Sequence, residues 1–304
     1  MEQFEKNLDY TEIKDIEFVK DFNYEESVNS NALISLLDYA TKESKEKIEK
    51  ELFIIKNGFF SEKNVYSEIR KSRLPLLCLH DIRLEHRGLD AEFDFMIIGS
   101  SFILVIETKP FFGSITINFK GEITRDYQFK NQTFKDKIQS HLLQSEQKIM
   151  FLKRFLRDHH LVKDIPIYAL AVIGSDETQV KKSFAKSKVK KAVIRYNQLI
   201  GVLDQYAKKN VNLKLRNGKM REISNVLKKE HQPVEIDYAR KLNLNIISLD
   251  SKKMSGNQTI EQKKNKSKDE PKDLSQELLY KSVKDARKDL HKMRRSIFTG
   301  YKRH

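Results

Sequence analysis

Apolar positions recur at helical spacing between Asn31 and Ile55, where Leu36, Ile48, Leu52 and Ile55 share a stripe and Lys alternates with Glu elsewhere. Gly58 interrupts this pattern, and a second helical stretch runs through Phe60, Val65 and Ile69. The period then changes. Leu74 to Leu84, with its compact run Leu76-Leu77-Cys78-Leu79, predicts a strand. Glu92–Ile98 and Phe102–Lys109 are rich in β-branched and aromatic residues, and Gly99-Ser100-Ser101 between them predicts a hairpin. A shorter alternating strand follows over Ser114–Phe119, then a long helix from Thr133 to Arg157 with Ile138, Leu142, Ile149, Leu152 and Leu156 inward. Pro166–Ile173 is apolar throughout, as expected of a strand buried on both faces. Val193–Tyr196 predicts a last strand and Asn197–Tyr206 a short helix. Together these elements predict an α/β core.

The second arm of the hairpin carries the candidate chemistry. Five apolar residues, Phe102 to Ile106, drive a strand into the core, and Glu107-Thr108-Lys109 ends it. Period-2 geometry places Glu107 and Lys109 on one face. If Ile98 pairs with Ile103, Asp94 falls opposite Glu107. Two carboxylates and a lysine at the end of an apolar sheet cost free energy unless something occupies the place. A divalent cation with phosphate oxygens is one occupant; a structural ion pair at a strand end is the other reading. Acid-x-Lys triplets also occur at Glu12, Glu43 and Glu261, so position, not the triplet, distinguishes this one.

Glu92-Phe93-Asp94-Phe95-Met96-Ile97-Ile98, then Val105-Ile106-Glu107-Thr108-Lys109, then Gly113-Ser114-Ile115, resembles the NERD (nuclease-related) domain family of the PD-(D/E)XK nuclease superfamily. Gly58-Phe59-Phe60-Ser61-Glu62 is similar to the family's entry to its first helix, and Gln144 to the glutamine on its long helix. The sequence departs from the family pattern at Ser61, Glu92 and Phe95, where Gly, Gln and His are common, and lacks its Asn-Pro. The resemblance implies a restriction-endonuclease-like αβββαβ core with a mixed central sheet, here with helical N- and C-terminal extensions. It implies that Asp94 and Glu107 ligate Mg²⁺ (or Mn²⁺), that Glu62 contributes directly or through water, that Lys109 is the catalytic lysine, and that Gln144 orients Lys109, water or a phosphate. His80 and His86 have no partner at zinc spacing and are expected at the surface, whereas His159-His160 suits the C-terminal end of the long helix.

Charge adds a partner. The chain of 304 residues carries a net +15. Residues 1–50 hold 7 basic and 13 acidic side chains, whereas residues 251–304 hold 16 basic and 7 acidic. Lys181 to Arg195 holds seven basic residues and no acid, and Lys181, Lys182, Lys186, Lys188, Lys190 and Lys191 within it are the expected nucleic-acid contact, DNA before RNA. A solvated Lys-rich surface is the bland alternative. One cysteine, Cys78, excludes a disulfide framework and Cys-based zinc folds. No apolar run suits a membrane helix and no signal peptide is visible, so a cytoplasmic protein is expected.

The expected organisation is an acidic helical lead-in (1–44), a NERD-like nuclease core (45–206), a small helical extension (207–250), a disordered linker (251–273) and a basic amphipathic helix and tail (274–304) that could dock a protein partner or a second copy. The expected activity is metal-dependent hydrolysis of DNA phosphodiester bonds, endonucleolytic by default. The alternative is a catalytically silent nucleic-acid-binding module on a nuclease scaffold.

Overall fold

The computed structural model describes residues 11–245, apart from 24–27, 110, 112, 139–140, 210–213 and 235. The expected linker, basic helix and tail lie outside the described residues. In chain order the elements are β1 (Glu17–Lys20), α1 (Val28–Leu36), α2 (Lys42–Ile69), β2 (Leu77–His86), β3 (Leu89–Ile98), β4 (Ile103–Lys109), β5 (Ser114–Ile117), β6 (Ile123–Phe129), β7 (Gln132–Ile138), α3 (His141–Asp158), β8 (Ile167–Ile173), β9 (Gln179–Lys181), α4 (Ser187–Ala192), β10 (Val193–Arg195), α5 (Leu199–Ala207), α6 (Asn217–Lys229) and α7 (Tyr238–Lys241).

The main sheet has the order β1-β2-β3-β4-β8-β10. β2, β3 and β4 pair antiparallel, whereas β1 on β2, β8 on β4 and β10 on β8 pair parallel. This is the mixed sheet of a restriction-endonuclease-like α/β fold, with the order α2-β2-β3-β4-α3-β8 at its centre. Alternation along β4 sorts its side chains into two layers. Ile103 and Val105 pack with Leu152, Phe155 and Leu156 of α3 and Met220, Ile223 and Leu227 of α6. Leu104 and Ile106 pack with Val65, Tyr66 and Ile69 of α2 and Leu199 and Leu203 of α5. Cys78 is buried in the second layer.

A second sheet, β7-β6-β5-β9, lies between β4 and α3 in the chain and is completed from beyond β8. Ile115, Ile117 and Ile123 on its apolar face pack with Ala171, Ile173, Val189 and Val193. Gly113, which opens β5, has φ +78, and a Cβ there would lie 2.3 Å from the Asp126 carbonyl oxygen, so only glycine fits.

Three expectations change. The helix expected from Thr133 begins only at His141, because Gln132–Ile138 pairs with β6 through a turn in which Lys130 and Asn131 both adopt left-handed φ. Gly58 does not interrupt: α2 runs unbroken from Lys42 to Ile69, capped by the Thr41 side chain, and tertiary packing outweighs the ~1 kcal/mol cost of an interior glycine. The acidic lead-in contributes a strand as well as a helix, since Glu17–Lys20 forms the sheet edge and Arg221 of α6 clasps Glu17 at 2.9 and 3.0 Å. Among the described residues no helix is long and apolar enough to cross a membrane.

Candidate active site

The site gathers where β3 and β4 part. Their ladder runs from Ile98↔Ile103 to Phe95↔Ile106, the register expected from the sequence, and stops one residue short of Asp94 and Glu107. β3 turns over there: Phe93 packs in the α3 layer and Phe95 in the α2 layer. Next to it on β2, Asp81 takes a left-handed φ of 51°, and Leu79 and Ile82, three residues apart, share a layer. The reversal aims the Asp94 carboxylate at β4, where its Oδ2 accepts the Thr108 backbone N–H at 2.5 Å.

Glu107 is largely buried and held by two ammonium groups. Lys109 Nζ donates to its Oε1 at 2.9 Å, and Lys148 Nζ of α3 donates to its Oε2. Lys148 also lies 5.8 Å from the ring centre of Phe93. Burial alone would raise the Glu107 carboxyl; the charges and hydrogen bonds of Lys109 and Lys148 outweigh it and hold the group below the ordinary glutamate value. Asp94 goes the other way. Burial, then the negative charges of Glu107 and Glu62, push its carboxyl well above the usual carboxylate range, with Lys109 and Lys148 opposing only in part. Neighbouring acids driven in opposite directions are an arrangement that functional sites use, since it sets two carboxyl groups to different tasks.

Glu62 reaches the site from α2, which a close approach holds against the end of β8. A Cβ on Gly174 would stand 2.3 Å from the Ser61 carbonyl oxygen and 2.5 Å from its Cα, and Asn64 Nδ2 donates to the Gly174 carbonyl at 2.7 Å. The Glu62 carboxylate pairs with His80 Nε2 at 3.1 Å. His80 is therefore not a surface residue: it is 6% exposed, with its ring 4.6 Å from Phe22 and 4.8 Å from Phe95. It lies directly across the β2–β3 ladder from Phe95, the position where the sequence departs from the family's histidine. His86, likewise expected at the surface, is half-buried and bonds Asp158 at 2.9 Å. His159 Nδ1 lies 2.9 Å from the Phe155 carbonyl oxygen, within hydrogen-bond reach at the end of α3.

Gln144 lies on α3, but its side chain is outside the described residues. Lys148, one helical turn further along, escaped the sequence analysis; the Gln-x-x-x-Lys spacing, which puts both on one helical face, was its available signal. Of the lysine run, Lys181, Lys186, Lys190 and Lys191 are exposed. Lys182 turns inward to the Lys190 and Val193 carbonyls at 3.1 and 2.7 Å, and burial lowers its ammonium pKa. Lys188 pairs with Glu146 at 2.7 Å. Arg195 donates to the Thr178 carbonyl at 2.6 Å.

Residues 57–174 match the family model of the nuclease-related domain. This stretch is similar to the NERD domain. It holds Glu62, Asp94, Glu107, Lys109, Gln144 and Lys148, and the NERD family belongs to the PD-(D/E)XK-like nuclease superfamily. Comparison with curated proteins and with solved structures found no match. Among the described residues no group of three or more His, Cys, Asp or Glu side chains is close enough to hold a metal ion. Glu107 and Glu62 are nonetheless near enough for their charges to act on Asp94, and carboxylate oxygen is the donor a hard divalent cation takes, which would offset the part of the shift that their repulsion causes.

Proposed function

We propose that this protein is a metal-dependent nuclease that cuts DNA phosphodiester bonds internally. The observation that carries the reading is the opposed pair of acids, Glu107 kept charged between Lys109 and Lys148 and Asp94 strained as a carboxylate beside it. Asp94 and Glu107 would hold Mg²⁺ or Mn²⁺, with Glu62 contributing from α2, and the ion would polarise the phosphoryl group and acidify a water. Lys109 and Lys148 set positive charge where negative charge grows on the phosphoryl oxygens as water attacks phosphorus in line and the P–O bond breaks. Gln144 orients Lys109, water or the phosphate. Exposed lysines of the 181–191 run supply sequence-independent attraction to the backbone.

Incubating supercoiled plasmid with the protein in Mg²⁺, Mn²⁺ or EDTA tests this directly. Metal-dependent nicking is expected, with Glu107→Ala and Lys109→Ala each slower by a factor on the order of 10² or more. Undiminished nicking by both variants would sink the assignment. Lys148→Met is expected to let the Glu107 carboxyl rise, shifting the acid limb of the rate–pH profile to higher pH, whereas Lys148→Arg restores it. An unmoved profile in the Met variant contradicts the role given to Lys148.

The engagement of both Glu107 oxygens by lysine favours a second reading, a silent nucleic-acid-binding module. Metal linkage separates the two. A nuclease melts at higher temperature with Mg²⁺ or Mn²⁺ present, and a pure binder is indifferent.

A further inference from the structure

Two turns at one end of the second sheet each carry an exposed phenylalanine. Phe119 is 61% exposed and Phe184 is 82% exposed. Phe119 sits at the tip of the β5–β6 hairpin in a turn that is tightly tied. Gly121 N–H donates to the Asn118 carbonyl at 3.0 Å, and Asn118 Oδ1 accepts the N–H groups of Lys120 and Glu122 at 2.9 and 3.0 Å. Phe184 sits in a turn closed by Ala185 N–H on the Lys182 carbonyl at 3.1 Å, and buried Ala185 anchors it in the core.

The two turns are neighbours. β5 and β9 run parallel with Thr116 beside Lys181, so both chains leave the sheet at the same end. Lys186, two residues past Phe184, places its ammonium 4.5 Å from the centre of the Phe119 ring. Lys120 stands exposed on the first turn and Lys181 at the end of β9, where the second begins. A single exposed ring needs no explanation. Two rings on adjacent, hydrogen-bonded turns, among lysines with no acid in the 181–191 run, make a surface of exposed aromatic rings and positive charge.

We propose that the Phe119–Phe184 edge is a stacking platform for single-stranded DNA, an inference that takes its substrate class from the nuclease reading and deepens it. Bases of a single strand have free faces to lay on the rings while Lys181 and Lys186 meet its phosphates. A duplex offers only edges and phosphates, and opening a base step to admit a ring costs it stacking energy. The chain from Lys109 to Phe119 can span at most ~36 Å, so a strand held on the platform reaches the acidic site within a short length.

The test is fluorescence anisotropy in EDTA with a short labelled oligothymidylate, alone or paired with oligoadenylate. The single strand is expected to bind several-fold tighter than the duplex. Phe119→Ala and Phe184→Ala should each weaken single-strand binding about tenfold. Both rings are exposed, so melting curves of the variants should match wild type. Lys186→Ala should reduce the salt dependence, which the Phe variants keep. Equal affinity for the two probes, or unchanged binding by the double Phe variant, overturns the proposal. Plasmid cleavage with unchanged binding by the double variant removes the platform and leaves the nuclease. Phe-dependent single-strand binding without metal-dependent cleavage does the reverse.

Discussion

Asp94→Asn melts at a higher temperature than wild type at neutral pH in EDTA, and cuts no DNA. Burial and the charges of Glu107 and Glu62 raise the Asp94 carboxyl well above its unfolded value. Between those two values the folded chain binds more protons than the unfolded one, so this group's contribution to stability falls as pH rises. At neutral pH the carboxylate is a standing cost in the metal-free protein, and asparagine removes it while its amide oxygen still accepts the Thr108 N–H. Glu107 contributes with the opposite sign: its lowered carboxyl stabilises above the unfolded value, and the benefit is lost as pH falls through the folded one. The expected gain is about 1 kcal/mol, within the range of single stabilising changes at functional sites. Melting wild type and variant across pH in EDTA checks it: the gap should narrow toward acid as Asp94 takes its proton. A variant that melts below wild type at neutral pH would show that the Asp94 charge is already balanced without metal. Added Mg²⁺ should raise the wild-type transition and leave that of Asp94→Asn unmoved.

Gly174→Val should cost about 3 kcal/mol and impair cleavage, although Gly174 bears no functional group. Its Cβ would meet Ser61 at the carbonyl oxygen, Cα and carbonyl carbon, at 2.3, 2.5 and 2.6 Å, all of it backbone that cannot swing aside. Relief requires α2 to lift from the end of β8, and α2 carries Glu62 in the residue after Ser61. In a body of this size the loss corresponds to a melting point lower by roughly 6–12 °C. Gly201→Ala is the control: nothing lies within 4 Å of the added carbon, and a helical alanine is favoured over glycine. Calorimetry on the two variants, beside the plasmid assay, separates the close approach from a generic glycine effect. Similar melting by both would refute it.

The parts legible in the sequence are those whose signals are local. The β3–β4 hairpin followed from turn chemistry, its assumed register is the one found, and alternation along β4 placed Glu107 and Lys109 together as found. The unbroken apolar run of β8 identified a strand covered on both faces. Elements fixed by distant partners were not legible. Thr133–Ile138 is half charged and adjoins a helical stripe, so its pairing with β6 left no mark that periodicity could read. Period-2 reasoning also fails across Asp94, where the strand turns over, and that is where the candidate site lies. Lys148 meets Glu107 across the chain from β4 to α3, the His80–Glu62 pair joins a helix to a strand of different period, and Lys182 differs from its exposed neighbours only in the carbonyls it reaches.

The clasp between Glu17 and Arg221 has a consequence for the order in which the molecule is made. β1 is among the first described segments to leave the ribosome, yet α6, which packs on β1 and β2 and whose Lys228 donates to the Val19 carbonyl, comes about two hundred residues later. Until then the apolar side of β2 that α6 covers stays open, and a strand edge waits with it. The β4–β8 pairing is also deferred, because three strands of the second sheet and α3 must be translated between the two strands. A nascent chain of this kind gathers β2, β3 and β4 early and seals them late, so its synthesis is the interval in which its apolar surface stands most open to aggregation.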